Sequence, residues 1–259
     1  MEMWEVVLNK FIDEWKNRSD VIAILVCGSY ITGKPSKRSD LDIHIILSDD
    51  VDWRERGNKI IDGLLIEYFV NPPRQIRNYF QDDYRDRRTM SMVQFITGKV
   101  LFDKHNVTQD LKTEAQEWIN KKYENTNQVL LEIKKYGIWD TWDNLQDCYE
   151  QQRPDFHLVY YNSLSNLFDQ YCTYLGLELI PHYQIHSYLS DPKYKEKYLK
   201  ETFPDTIFSN MFIEALEENV NLELMKSYGQ LTQYVLNKMG GFEIDGWKIK
   251  SPVESSLTT

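Results

Sequence analysis

The chain has 259 residues with a 42% apolar share, enough for one large or two modest domains with a real core. Its formal net charge of −10 and pI near 5.1 argue against nucleic acid as the main partner, because gripping a polyanion needs a basic stripe, and suit a small cationic partner better. No apolar run approaches membrane-spanning length, no signal-peptide core opens the chain, and Cys27, Cys148 and Cys172 lack metal-site spacing, so a cytoplasmic protein with reduced thiols and no membrane partner is expected.

Residues 3–17 carry apolar side chains (Met3, Trp4, Val7, Leu8, Phe11, Ile12, Trp15) at helical spacing, which predicts an amphipathic helix. Two runs rich in Ile, Val and Leu, 21–27 and 41–47, read as buried strands. Between them lie Gly28-Ser29, a short helix over 30–32 and an exposed loop over 33–39 with Lys34, Lys37 and Arg38. Asp40-Leu41-Asp42 opens the second strand, and alternation puts both aspartates on one face, their Cα atoms about 6.5–7 Å apart. Two carboxylates so placed raise each other's pKa unless a cation compensates, and a hard ion held by carboxylates and substrate phosphates is the usual magnesium arrangement. His44 shares that face and reads as a half-buried strand histidine.

Residues 49–61 read as a connection, and Asp62-Gly63 is a hairpin signal before a strand over 64–70. Leu65, Glu67 and Phe69 share one face of that strand, so Glu67 is a charge in an apolar setting; a metal or proton-transfer role would explain it. The loop also imitates a P-loop, Gly28-x-x-x-x-Gly33-Lys34. Pro35 stands where that motif needs a hydroxyl and an opening helix, which disfavours the reading.

Asn71-Pro72-Pro73 stops the strand, 74–88 reads as a charged helix or loop, and 93–101 as a further helix or strand leading out of a first domain that ends at 104. From 105 the pattern is helical. Helices are expected over 111–123 behind a Thr108 N-cap, over 126–136 up to a break at Gly137, and over 155–175 up to Gly176. Two more open at Asp191-Pro192 and at Phe203-Pro204-Asp205, and a last one covers 222–239. A hairpin signal, Asp245-Gly246, falls within 242–250, and 251–259 is expected to fray. The class is α+β.

The pattern Gly28-Ser29, ten residues, then Asp40-x-Asp42 with Ser39 directly before, resembles the nucleotidyltransferase superfamily related to DNA polymerase beta. Within it the chain looks most like the bacterial antibiotic (aminoglycoside) nucleotidyltransferases. The resemblance implies a nucleotidyltransferase domain over 1–104, a small mixed sheet flanked by helices, and a C-terminal helical bundle over 105–259 that binds the acceptor. It implies that Gly28 and Ser29 hold a triphosphate, with Ser39 counted beside them; Lys37 and Arg38 of the exposed loop are either further triphosphate contacts or solvated loop charges. It further implies that Asp40 and Asp42 bind Mg2+ and that Glu67 is the third carboxylate of the site. The expected reaction moves AMP from ATP to a hydroxyl of a small molecule, an aminoglycoside first. By the same resemblance, Trp139, Asp140, Trp142 and Asp143 are candidate acceptor contacts.

A lincosamide, another metabolite or a protein hydroxyl would leave the same N-terminal motif. A catalytically silent nucleotide-binding protein is disfavoured by the full set of three carboxylates. A toxin–antitoxin-like module with an RNA-cleaving HEPN-type helical half is disfavoured because Arg153 and His157 are separated by three residues, not four, with Pro154 among them.

Overall fold

The computed structural model describes residues 2–33, 35–124 and 126–250. Lys34 of the glycine-rich loop and the tail 251–259 lie outside the described residues. The chain divides into two compact units, Met1–Lys121 with Lys193–Lys200, and Lys122–Pro192 with Glu201–Thr259.

The first unit is built on a mixed five-stranded sheet. Its strands are β1 (Val21–Cys27), β2 (Leu41–Leu47), β3 (Glu55–Ile61), β4 (Leu64–Asn71) and β5 (Lys99–Asp103), in the order β3-β4-β2-β1-β5. Only β2 and β4 run parallel; the other pairs are antiparallel. The two strands with the most continuous apolar runs, β1 and β2, lie inside the sheet, where both faces must be covered.

Period-two alternation sorts the side chains into two layers. Ile24, Val26, Leu41, Ile43, Ile45, Ile66 and Val70 face helix α1 (Met3–Ile12), whose Val7 and Phe11 are fully buried. Ala23, Leu25, Cys27 and Ile46 face the other way, against Ile76 and Phe80 of α3 (Pro73–Arg85), Phe95 of α4 (Met90–Thr97) and Leu111 of α5 (Val107–Ile119). A four-residue helix, α2 (Ser29–Thr32), joins β1 to the loop before β2. Asp42, His44, Glu67 and Phe69 fall on the α3–α5 side by the same alternation.

Several elements depart from the sequence reading. The helix expected over 3–17 ends at Ile12, and Trp15 is buried from the turns that follow. The segment read as a connection contains strand β3, whose polar side chains hid it: Arg56, Asn58 and Lys59 sit on an edge strand where solvent tolerates them. The stretch 93–101 is both a helix end and a strand, divided at Gly98. Helix α5 packs within the first unit, whose first stretch runs to Lys121. Thr108 is not the cap of α5. The carboxylate of Asp103 caps it from β5, accepting from the amides of Val107 (3.1 Å) and Thr108 (2.8 Å).

The second unit is helical: α6 (Gln128–Glu150), α7 (Phe156–Tyr174), the short α8 (Ile185–Ser190), α10 (Thr206–Glu217) and α11 (Asn221–Lys238). The short α9 (Pro192–Lys197) leads into the segment that belongs to the first unit, where Lys200 Nζ donates to Thr89 Oγ1. Helix α6 continues through Gly137. A glycine in a helix interior costs only about 1 kcal/mol, less than Ile138, Leu145 and Cys148 gain by staying buried on one face. Asp205 ties three helices: it caps α10 at the Phe208 amide (3.0 Å) and accepts from the hydroxyls of Tyr171 (2.7 Å) and Tyr234 (2.9 Å). Residues 242–250 make a turn but no paired strands. No helix among the described residues is long and apolar enough to cross a membrane.

Asp103→Ala should destabilise the protein by about 1–2 kcal/mol in urea unfolding, since two helix amides and the Thr108 hydroxyl lose their acceptor together. Burial works to raise the Asp103 pKa, but the bonds from Thr108, His105 and Val107 prevail and hold it below the ordinary carboxylate range. The difference between wild type and variant should therefore be full above that range and close as the pH falls through the depressed pKa.

Candidate active site

The site begins where β1 ends. Gly28 has φ +81°, and a Cβ there would lie 2.2 Å from Asp42 Oδ2. Only glycine both adopts this backbone and lets the carboxylate come so close. The chain then turns into α2, whose Ile31 and Thr32 amides return to the Gly28 carbonyl, both at 3.1 Å. In the next loop, Ser39 Oγ accepts from the Ser36 amide (2.8 Å), so Ser39 shapes the turn leading to Asp40. Lys37 and Arg38 are exposed in that turn.

Pairing register brings the carboxylates together. Asp42 stands opposite Cys27 on one side and opposite Glu67 on the other. Asp40 precedes it by two residues on the same face. Asp40, Asp42 and Glu67 each offer an oxygen within 4.8 Å of the others, and all three are half-buried. The three carboxylates expected from the sequence therefore converge, with Gly28 against them. The structure does not by itself assign roles to Ser29, Lys37, Arg38 or Ser39.

The electrostatics of the cluster are strained. Burial, then repulsion by Asp40 and Glu67, pushes the Asp42 carboxyl up to about 7, with the positive charge of Lys197 giving partial relief. A divalent cation would remove that repulsion. Three hard oxygen donors, half open to solvent, are the donor set such an ion takes, so the residues present fit a divalent metal. Cys27 contributes no thiolate: burial and the charges of Asp42 and Asp40 push its pKa well up, and its Sγ donates to the Asp42 carbonyl (3.7 Å).

His44 is 6% exposed and belongs to the packing. Its Nε2 pairs with Gln94 Oε1 (3.2 Å) and its ring stacks on Phe69 (centroids 5.0 Å). Burial lowers its pKa to about 4 despite the Gln94 bond, which keeps it neutral at pH 7. Two cations near the site escaped the sequence reading. Arg56 bonds Glu67 Oε1 through Nη2 (2.5 Å) and Nε (3.1 Å). A two-residue Asp62-Gly63 turn, carried back along β3, puts Asn58 opposite Glu67 and Arg56 two pairs further on the same face, opposite Phe69, so register could have found it. Lys197 comes from 155 residues beyond Asp42, and no local pattern signals it.

Residues 9–71 match the family described as "Polymerase beta, Nucleotidyltransferase". The matched stretch runs from α1 to the end of β4 and holds Gly28, Asp40, Asp42 and Glu67. The likeness supports nucleotidyl transfer in general. No curated protein matches the sequence. Among solved structures, a nucleotidyltransferase-like protein from Exiguobacterium sibiricum 255-15 is similar at 10% identity with a TM-score of 0.45, over 91% of this chain and 75% of that one.

Asp42→Asn should raise the melting temperature of the metal-free protein at pH 8. The folded pKa of Asp42 lies above its unfolded value, so its contribution to stability is present below pH 4 and lost as the pH rises through about 7. The variant lacks that loss, and the two proteins should converge at low pH in thermal melts with EDTA. Added Mn2+ should stabilise the wild type and leave Asp42→Asn unmoved; equal stabilisation of both would remove Asp42 from the metal site.

Proposed function

We propose that the protein is a magnesium-dependent nucleotidyltransferase that moves AMP from ATP to a hydroxyl of a small cationic molecule, an aminoglycoside-type antibiotic. The observation that carries this reading is the convergence of Asp40, Asp42 and Glu67 within 4.8 Å on one sheet face, against the Gly28 turn. The match over residues 9–71 supports the reaction class, and the net charge of −10 suits a cationic acceptor better than a nucleic acid. The three cysteines are buried as thiols, which accords with work in the reducing cytoplasm.

Asp40, Asp42 and Glu67 would hold Mg2+, which when bound supplies charge neutralisation to the phosphates and the leaving pyrophosphate. The Gly28-Ser29 turn binds the outer phosphates through backbone amides and the Ser29 hydroxyl, with Lys37 and Arg38 in the adjoining loop adding positive charge. The acceptor oxygen attacks the α-phosphorus and forms the new P–O bond, while the bond to pyrophosphate breaks in line with it. The hydroxyl proton passes to a carboxylate of the triad.

The test is transfer of α-labelled AMP from ATP with Mg2+ to a panel of aminoglycosides and lincosamides. One antibiotic should take the label, and Asp42→Asn should lower the rate by a factor of about 100 or more. Label appearing on protein instead would identify a protein-modifying enzyme. A wild type that binds neither ATP nor Mg2+ would overturn the reading.

A further inference from the structure

Glu67 stands between two claims on its charge. Across β2 it faces Asp42 and the place of a divalent ion; across β3 it holds Arg56. Both Arg56 bonds fall on Oε1 alone, whereas the firm guanidinium–carboxylate grip uses both oxygens. Glu67 is 21% exposed but Arg56 is 69% exposed, so the arginine is held from the solvent side and can leave without exposing any core. Its guanidinium lies over the Phe69 ring, 4.9 Å from the centroid, beside a cavity of about 470 Å3 that includes Arg54, Asn71, Tyr79 and Gln94 in its wall.

We propose, resting on the nucleotidyl-transfer reading, that Arg56 is a phosphate-binding residue of the nucleotide site, parked on Glu67 until a divalent cation takes that carboxylate. The exchange is electrostatic. A cation on Glu67 cancels the negative charge that holds the guanidinium and repels it at the same short range. Arg56 then needs another anion. The acids around the cavity are already engaged: Asp82 with Arg85 (3.0 Å), Asp83 with the Ser91 amide (2.7 Å) and Glu55 with the Tyr68 hydroxyl (2.8 Å). A nucleoside triphosphate, arriving with its metal at the neighbouring carboxylates, brings phosphate oxygens that match the planar fork of an arginine. Arg56 thus lowers the affinity for bare metal and raises it for metal with nucleotide, which favours loading the two together.

This gives Arg56→Gln opposite effects on two ligands. Calorimetric titration with Mn2+ alone should show the variant binding about two- to fivefold more tightly than wild type, because the competitor for Glu67 is gone. Titration with α,β-methylene-ATP and Mg2+ should show it binding about tenfold more weakly, and Arg56→Lys should recover part of that loss. Arg56 acting only as a structural prop would weaken both ligands or neither, and that outcome would overturn the proposal. Mn2+ bound by wild type and no more tightly by Arg56→Gln would overturn the role of Arg56 while leaving the metal site standing. Wild type that takes up no Mn2+ would overturn the nucleotidyl-transfer reading, and this role with it.

Discussion

Repulsion among three carboxylates on one sheet face is the constraint on which the first unit depends. Asp42 lies deep enough for burial and two like charges to push its pKa up to about 7, while Asp40 and Glu67 stand within 4.8 Å of it. A core built for stability alone would put an apolar side chain at that register position, as β2 does at Ile46 further along the same face. Strain held at a site and compensated elsewhere is a mark of function. Here the compensation is visible: β1 and β2 are buried on both faces, with α1 on one side and α3, α4 and α5 on the other.

The scaffold around the cluster follows from the same constraint. Gly28 leaves its Cβ space to an Asp42 oxygen, so the end of β1 and the carboxylate of β2 occupy almost one position. The parallel pairing of β2 with β4 sets Asp42 beside Glu67, and the antiparallel hairpin of β3 and β4 then delivers Arg56 to Glu67 from the far side. Lys197 acts on Asp42 from a segment that interrupts the helical unit in sequence yet belongs to the sheet-bearing one. Positive charge therefore meets Glu67 through Arg56 and acts on Asp42 through Lys197. A divalent ion is the species that would complete the balance.

The helical unit shows a second way of holding a buried carboxylate. Asp205 accepts from two tyrosine hydroxyls and one helix amide, and its pKa is lowered rather than raised: burial opposes this, but the hydrogen bonds prevail. Asp205 joins three helices; Asp42, with two like-charged neighbours and no side-chain hydrogen bond of that kind among the described residues, is poised to bind. Two aspartates of similar intrinsic acidity are set apart by what surrounds them.

The sequence by itself determined the strands β1, β2 and β4, the Gly28-Ser29 turn, the shared face of Asp40 and Asp42, and the anomaly of Glu67, because each rests on alternation or on a turn only glycine makes. It also misled in places governed by competition between weak local terms and packing. Gly137 reads as a break but lies inside α6, and β3 reads as a connection because an edge strand carries polar residues. Only the tertiary structure decided that β4 runs parallel to β2, and so that Glu67 meets Asp42, because pairing partners distant in sequence leave no local periodicity. It alone brought Lys197 to the carboxylates, set Arg56 on Glu67 and raised the pKa of Asp42, since charge and burial act through space between residues whose sequence separation says nothing of their distance.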